Sequence, residues 1–288
     1  MDLLIFFFFY LFSMLVGLLP FPVLYKFSDF LSFILRKIIH YRKAVIRKNL
    51  GSSFPDMGKE EISRIEKRSY QNLSDIILEG IRAFTMTRQQ ILARHRILNQ
   101  EILDPYFEAG QGVIVVTGHY GNWEWGTLSP AIQTRFQIVG FYKPLKNKRI
   151  DKFARMNRSR FGTFLSPIRE TSTTFKTHRG HPVIYLMAAD QSPSNREMAY
   201  WVNFLGCDTA FLHGPEKHAR INNYPVVFVA IRRVKRGFYE LELSMLVEDP
   251  SKLPDGEITR LFSEKLEALI REDPANWLWS HKRWKLTR

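Results

Sequence analysis

Two residues separated by four others, His119 and Glu124, have the types needed for acid–base chemistry. A histidine held by a carboxylate can remove a proton from a hydroxyl, because the carboxylate fixes the imidazole tautomer and stabilises the imidazolium that forms. No serine elbow or other evident nucleophile accompanies the pair, so the pattern favours direct attack by a substrate hydroxyl on an acyl thioester. The same spacing also fits a surface histidine in a loop followed by a capping glutamate.

The chain must turn between the histidine and the glutamate before their side chains can meet. On one continuous α-helix, residues five apart point about 140° away from each other. Gly118 and Gly121 supply backbone freedom, and Asn122 is predicted to cap a helix that starts at Trp123 and returns Glu124 towards the imidazole. An apolar run precedes this turn, and functional groups of α/β folds gather at the carboxyl ends of strands.

The apolar pattern along the rest of the chain predicts the elements that position this turn. Short apolar or alternating runs predict strands at 113–116, 136–142, 183–189, 226–231 and 238–246. Helical patterns cover 147–161, 170–178, 215–222 and 257–271, and an amphipathic run from Ile62 to Phe84 predicts a core helix. The alternation predicts an α/β fold with a mixed, largely parallel sheet flanked by helices.

An uncharged apolar run from Leu3 to Leu19 predicts an N-terminal hydrophobic membrane-anchor helix. It is at the short end for a spanning helix, which needs about 20 apolar residues. The sequence therefore leaves open whether this helix spans the membrane or only enters one side of it. A cleaved signal peptide is disfavoured, because Asp2 replaces the positive start and no small-residue cleavage site follows. The predicted division is a hydrophobic membrane anchor at 1–24, a basic interfacial and helical region at 25–104, and an α/β catalytic domain at 105–288.

Charge and cysteine content limit the partners and the compartment. Lys and Arg number 42 against 28 Asp and Glu, and the net charge of +14 favours an anionic partner: nucleic acid, acidic lipid or an acidic protein. Basic residues interleaved with apolar ones at 26–48 are typical of a helix on an anionic membrane surface and predict a cytoplasmic main domain. The single cysteine, Cys207, excludes an internal disulfide and any Cys-based metal cluster.

The run from Gly118 to Glu124 resembles the His-x-x-x-x-Asp/Glu block of the lysophospholipid acyltransferase superfamily. Because the acidic position of the block is a glutamate, the run resembles in particular the lipid A late acyltransferase branch of that superfamily. The resemblance implies that His119 is the general base and Glu124 its partner. The closing run from Pro274 to Lys285 is similar to the C-terminal signature of that branch, so the matching blocks cover Val113 to Lys285.

Two further blocks resemble the same family. The run Phe141 to Asn147, with 157–162 after it, is similar to a Tyr-Arg-Pro-x-x-Asn segment and an Arg-x-Arg element, although a lysine replaces the first arginine and loses its bidentate fork. The run Ala188 to Pro193 is similar to an Ala-Asp-Gln element. Without the resemblance, these blocks also fit a basic helix face and a turn cap. The resemblance implies substrate-binding roles, through phosphate or oxyanion contacts or in the active-site wall, for Lys143, Asn147, Arg158, Arg160, Asp190 and Gln191.

The resemblance implies acyl transfer from a thioester to a hydroxyl of a lipid A precursor at the bacterial inner membrane, with the catalytic domain on the cytoplasmic side. Acyl-acyl carrier protein is the expected donor, with coenzyme A still open, and this chemistry requires no metal or organic cofactor. One alternative is a glycerophospholipid or other membrane lipid acceptor. The other is a non-catalytic membrane-attached protein that binds acidic lipid or nucleic acid; nucleic acid is not expected, and a binding module has no need of Glu124 beside His119.

Overall fold

The computed structural model describes residues 2–197 and 199–288. Within them the strands are His95–Ile97 (β1), Val113–Thr117 (β2), Gln137–Tyr142 (β3), Phe164–Pro167 (β4), Val183–Ala188 (β5), Ala199–Phe204 (β6), Cys207–Leu212 (β7), Val226–Lys235 (β8) and Phe238–Val247 (β9). Seven strands form one sheet in the order β1-β9-β8-β2-β5-β3-β4, and β6 pairs with β7 in a separate antiparallel hairpin. The centre of the sheet is parallel, since β2 runs parallel to β5 and β8, and β3 to β5 and β4. Within the described part of this sheet, only the β8–β9 pair is antiparallel.

The α-helices are Asp2–Leu18 (α1), Phe21–Phe33 (α2), Lys43–Ser53 (α3), Lys59–Arg82 (α4), Arg88–Arg94 (α5), Asp104–Glu108 (α6), Pro130–Gln133 (α7), Lys148–Ser159 (α8), Thr171–Thr177 (α9), Gly214–Asn222 (α10) and Glu257–Glu272 (α11). A π-helical turn at Ile34–Ile38 follows α2, and short 3₁₀ turns occur at several helix ends and loops. Helix α4 is the longest of these, and α1, α2 and α3 pack against it.

The strands of the sheet alternate apolar residues between two cores, as expected for a sheet covered on both faces. Ile114 and Val116 of β2 belong to a core that includes α11 and the C-terminal tryptophans. Val113 and Val115 belong to a second core that contains Trp125 and residues of β8 and β9. This confirms the predicted α/β fold with a mostly parallel sheet and flanking helices.

The sequence patterns located most of these elements and missed the shortest ones and the β6–β7 hairpin. Predicted strands and helices overlap β2, β3, β5, β8, β9, α4, α8, α9, α10 and α11. The strands β1 and β4 have only three and four residues, which leaves too little pattern to recognise. The turn of the β6–β7 hairpin is Leu205-Gly206, with φ of 52° and 74°, a conformation that leucine rarely adopts. Strand β1 lies before residue 105 but pairs with β9, so the sheet draws on the 25–104 region.

The N-terminal helices carry a long exposed apolar surface. Exposed residues of α1, α2 and the turn after them include Leu3, Leu4, Phe7, Phe8, Leu11, Leu15, Leu18, Phe27, Phe30, Phe33, Ile38 and Ile39. Among residues 2–197 and 199–288, no helix has both the length and the apolar character needed to cross a bilayer. The predicted anchor at 1–24 therefore has no support as a transmembrane helix, and its first residue, Met1, lies outside the described residues.

Candidate active site

His119 lies just beyond the carboxyl end of β2, where it contacts a carboxylate from the neighbouring strand. Its Nδ1 is 2.5 Å from Oδ1 of Asp190, and its backbone N–H donates to Oδ2 of the same carboxylate at 2.8 Å. Asp190 follows β5, which pairs in parallel with β2, so the two strand ends bring these residues together. The indole N–H of Trp277 also donates to Asp190 Oδ2, at 2.8 Å.

The environment of this pair favours its charged form. Burial alone would lower the pKa of His119, but attraction to Asp190, the hydrogen bond between them and the charge of Glu124 raise it above its usual value. Burial would likewise raise the pKa of Asp190, but His119 and Trp277 lower it to about 2. Asp190 is thus an anion that accepts from Nδ1–H, and Nε2 can accept a proton when the imidazole is in its neutral form.

Glu124 does not hydrogen-bond to His119, in contrast to the sequence prediction. Its Oε2 accepts from Nη2 of Arg158 at 2.8 Å, and both side chains are about one-third exposed. Asp190 fills the position that the prediction gave to Glu124, because the turn after β2 does not bring Glu124 back onto the imidazole. Glu124 still acts on His119 through its charge.

The turn between His119 and Glu124 has a fixed geometry. Gly121 has a φ of 62°, and a Cβ at this position would lie 2.2 Å from the Ile231 carbonyl oxygen, so only glycine fits. The Asn122 side chain accepts from the Trp125 backbone N–H at 3.0 Å, as a capping residue does. The predicted helix from Trp123 is a single 3₁₀ turn at Trp125–Thr127.

Gln191 contacts the ring nitrogen of His119 that does not bond to Asp190. Its amide nitrogen lies 3.1 Å from Nε2 of His119, the atom that would receive a proton. The next residue, Ser192, donates its backbone N–H to Nε2 of His281 at 3.1 Å. Burial lowers the pKa of His281 to about 4, so this imidazole is neutral and can accept that bond near neutral pH.

A predominantly apolar cavity of about 360 Å³ opens beside His119. Glu124, Arg158 and Lys143 lie with His119 on its wall. The remaining lining comes mainly from one face of the sheet and the turns that cover it, including Val115, Gly140, Ile184, Leu186, Val229, Ile231, Leu241 and Leu243. A cavity of this size, apolar with a few polar groups at one place, is typical of a small-molecule or acyl-chain site.

Two residues with predicted substrate-binding roles lie elsewhere. The side-chain oxygen of Asn147 caps α8 by accepting from the backbone of Arg149 and Ile150, and its amide donates to the Asp2 carbonyl. Arg160 donates to the carbonyls of Ala83 and Met86 at 2.6 and 2.5 Å. Their polar groups are used in holding the fold, and neither residue lines the cavity.

Trp277 and His281 are the site residues whose roles sequence reasoning missed. Both stand in the C-terminal run that the sequence singled out, but their partners, Asp190 and Ser192, lie 87 and 89 residues away. No local spacing predicts such contacts. Among the described residues, no group of three or more His, Cys, Asp or Glu side chains could hold a metal ion.

Comparison with known proteins supplies an independent finding. The family described as bacterial lipid A biosynthesis acyltransferase matches residues 2–286 of this chain. A lipid A biosynthesis lauroyltransferase from Escherichia coli (strain K12) is 23% identical over 273 residues, which cover 94% of this chain and 88% of the relative. A lipid A biosynthesis acyltransferase from Haemophilus influenzae (strain ATCC 51907 / DSM 11121 / KW20 / Rd) is 22% identical over 273 residues, covering 93% and 86%.

Proposed function

Because this chain belongs to the bacterial lipid A biosynthesis acyltransferase family and is an O-acyltransferase of that type, we propose that it transfers a fatty acyl chain to a hydroxyl of a lipid A precursor. We further propose an acyl thioester as donor, with acyl-acyl carrier protein as the expected form. The observation that carries the proposal is the His119–Asp190 pair, with its Nδ1 to Oδ1 distance of 2.5 Å, beside an apolar cavity.

In the proposed reaction, His119 is the general base. Asp190 accepts from Nδ1–H, which leaves the lone pair of Nε2 free to take the proton of the acceptor hydroxyl. The hydroxyl oxygen then attacks the carbonyl carbon of the thioester. Collapse of the tetrahedral intermediate breaks the C–S bond, and the departing thiolate takes the proton back from the imidazolium. No covalent acyl-enzyme forms, and the Gln191 amide must leave Nε2 when the hydroxyl binds.

Arg158 supports the developing negative charge in this proposal. It lies on the cavity wall with Glu124, and a guanidinium is a permanently charged donor suited to an oxyanion. Glu124 has two roles here: it holds Arg158 through their 2.8 Å contact, and its charge favours the imidazolium of His119. The predicted partnership of His119 and Glu124 is thus kept as an electrostatic one.

The cavity is the proposed site of the acyl chain. Its apolar lining runs from His119 beneath the sheet towards Leu241 and Leu243 of β9. An extended hydrocarbon chain gains free energy from burial against such a lining, roughly 0.8 kcal/mol for each CH₂ removed from water. The thioester carbon at the head of the chain would then lie near the histidine.

Exposed basic residues at Lys143 and after it in the sequence fit anionic substrates. Lys143 lies on the cavity wall, and the exposed side chains near it in sequence include Lys146, Lys148, Arg149 and Lys152. Among the described residues, none of these five has a carboxylate within ion-pair distance. A phosphorylated acceptor and an acidic carrier protein are both complementary to this charge, which would increase the rate of association at low ionic strength.

We propose that the N-terminal helices lie in the cytoplasmic leaflet of the bacterial inner membrane. Phe27, Phe30 and Phe33 of α2 are 55–63% exposed, while Lys26 and Lys37 are exposed close by. Exposed apolar side chains beside basic ones are typical of an interfacial helix on anionic lipid. Such a position would supply the lipid acceptor directly to the enzyme.

Mass spectrometry of lipid A tests this function. Cells that lack the protein are expected to lose one acyl mass, which the wild type restores and His119→Ala does not. His181→Ala is the matched control, because His181 is exposed and outside the cavity lining, and it is expected to restore the mass fully. Unchanged lipid A accompanied by altered glycerophospholipids would instead identify the other lipid acceptor. Restoration by His119→Ala would refute the general-base role.

A further inference from the structure

A buried glutamate on α4 lies directly beneath the turn that carries His119 and Glu124. Glu79 is fully buried and accepts three side-chain hydrogen bonds, from Tyr25, Asn122 and Tyr239, at 2.8, 2.7 and 2.8 Å. These donors come from α2, from the active-site turn and from β9. A buried carboxylate is stable only when its oxygens are so satisfied, and the three partners fulfil this requirement.

Asn122, which stands between the two active-site residues, is bonded at each of its polar side-chain atoms. Its amide nitrogen donates to Glu79, and its amide oxygen accepts from the Trp125 backbone at 3.0 Å. Its backbone carbonyl lies 3.1 Å from Nε2 of His95. Burial lowers the pKa of His95 to about 3, so this imidazole is neutral and donates Nε2–H while Nδ1 accepts from Ser129.

Helix α4 contacts the turn at two further points. The indole N–H of Trp125 donates to the backbone carbonyl of Glu79 at 3.0 Å. A Cβ built on Gly80, the next residue, would come within 3.7 Å of the Glu124 Cγ, so the helix surface lies in close contact with Glu124. Asn122, Glu124 and Trp125 are therefore supported by one turn of one helix.

We propose that Glu79 is a positioning residue for acyl transfer: through the Asn122 amide it fixes the turn that places His119 and Glu124 at the cavity. The inference rests on the proposed function. Glu79 contacts neither substrate nor the reacting atoms, and its effect passes through Asn122. If the Asn122 amide loses its acceptor, the turn keeps its cap on Trp125 and the Trp125 contact with α4, but it loses its side-chain bond to α4 on the side nearer His119. The two active-site residues then shift relative to each other.

A reciprocal exchange of the two side chains tests the bond directly. Asn122→Asp keeps the oxygen that caps Trp125 but places a second carboxyl group against Glu79. Burial and the charge of Asp75 raise the pKa of Glu79 to about 7, so the two carboxylates repel each other as like charges above that pH. Glu79→Gln in the same chain provides an amide that donates to the new carboxylate at position 122, so the bond reforms with donor and acceptor reversed. Glu79→Gln alone still offers one carbonyl oxygen to Asn122.

The expected result is a change in kcat that the exchange reverses. At alkaline pH, Asn122→Asp should lower kcat by about 100-fold with KM within about 2-fold, because positioning acts on the transition state. The double variant should recover at least about 10-fold of this loss. Glu79→Gln alone should lower kcat by no more than about 3-fold.

Glu66→Gln is the matched control. Glu66 is also a buried carboxylate on α4, but its partners are Arg36 and Arg47, away from the turn. It should lower Tm and leave the kcat of the folded enzyme unchanged. The same behaviour from Asn122→Asp, a lower Tm with normal kcat, would overturn the proposal, as would a double variant no more active than Asn122→Asp.

A readout without substrate separates this proposal from the proposed function. In protein with ¹⁵N-labelled histidine, the ring resonances of His119 should move in Asn122→Asp and return in the double variant. If the wild type fails to acylate a lipid A precursor, the proposed function fails while this measurement still tests the positioning role. If the His119 resonances stay unchanged in Asn122→Asp, the positioning role is refuted whatever the substrate is.

Discussion

His119 Nδ1 lies 2.5 Å from Oδ1 of Asp190, a residue 71 positions further along the chain. The nearer carboxylate in sequence, Glu124, pairs with Arg158 instead. The histidine proposed as the general base is therefore oriented by the sheet, through the neighbouring ends of β2 and β5, and not by its own turn. The site has two carboxylates with different tasks, one bonded to the imidazole and one to a guanidinium.

Asp190→Asn should shift the acid limb of the pH profile of kcat/KM to lower pH. His119 accepts a proton only when it is neutral, and Asp190 raises its pKa, so the wild-type acid limb lies above the usual histidine range. Removing the charge lowers that pKa and moves the limb down. The kcat should also fall, by about 10²- to 10⁴-fold, because the imidazolium loses its stabilising partner.

Glu124→Gln provides the comparison for this profile. It should move the limb in the same direction but by less, because the charge of Glu124 contributes less to the His119 pKa than that of Asp190. An acid limb that stays in place in Asp190→Asn, or moves further in Glu124→Gln, would show that Asp190 does not control the base.

Arg158→Ala should act mainly on kcat. If the guanidinium stabilises the developing oxyanion, its loss should lower kcat by about 10²- to 10³-fold with a small effect on KM. Arg158→Lys should recover part of this loss, because it keeps the charge and loses the planar fork. The measurement is steady-state kinetics with purified lipid acceptor and acyl donor.

Arg155→Ala is the control for that experiment. Arg155 lies on the same helix, α8, but pairs with Asp151 and does not line the cavity. Its replacement should leave kcat within about 2-fold of the wild type. An Arg158→Ala enzyme that raises KM at unchanged kcat would assign Arg158 to ground-state binding of an anionic substrate.

Leu243 should influence the length of the acyl chain that is transferred. It is buried on β9, and it lines the end of the cavity under β8 and β9, which lie across β2 and β5 from β3 in the strand order of the sheet. Leu243→Phe reduces the space there and should shift preference to shorter chains, while Leu243→Ala enlarges it and should shift preference to longer ones. The test is competition among acyl donors of several lengths, read by mass spectrometry of the product.

The two substitutions should shift the preferred acyl-chain length in opposite directions. General destabilisation of the enzyme would instead affect both variants in the same way. Leu246→Ala serves as a control, since Leu246 packs with the core on the other face of the sheet. Identical product distributions from Leu243→Phe and Leu243→Ala would place the acyl chain outside this part of the cavity.

The sequence predicted the strand, the turn and the residue types of the site, but not its pairing. The pattern before His119 predicted β2 and the position of the histidine at its end, because strand periodicity is a local property. The contact with Asp190 depends on strand order in the sheet, which no local pattern contains. The run Ala188 to Pro193 was recognised as a separate block, yet only the parallel pairing of β2 and β5 joins it to His119.

The substrate-binding roles predicted for Asn147 and Arg160 stay predictions, and the structure gives both residues contacts that the sequence did not predict. Both are polar residues near the active-site blocks in sequence, and the side chains of both form hydrogen bonds with backbone groups. Asn147 caps α8, and Arg160 donates to the carbonyls after α4. Residue type alone does not distinguish a group that faces a substrate from one that satisfies a helix end. Arg158, two residues before Arg160, lies on the cavity wall.

Replacing Phe27, Phe30 and Phe33 together by serine should weaken binding to anionic vesicles by at least about 10-fold, because burying an aromatic side chain contributes about 1.5–3 kcal/mol. These residues are exposed, so the enzyme should remain folded. Ile221→Ser with Val234→Ser is the control, since both residues are exposed apolar positions on other elements and should not affect vesicle binding. Binding measured by vesicle sedimentation should also fall with added salt and with neutral lipid, because the basic residues beside the phenylalanines contribute by charge. Equal loss in the control variant, or none in the serine variant, would show that α2 does not contact the membrane.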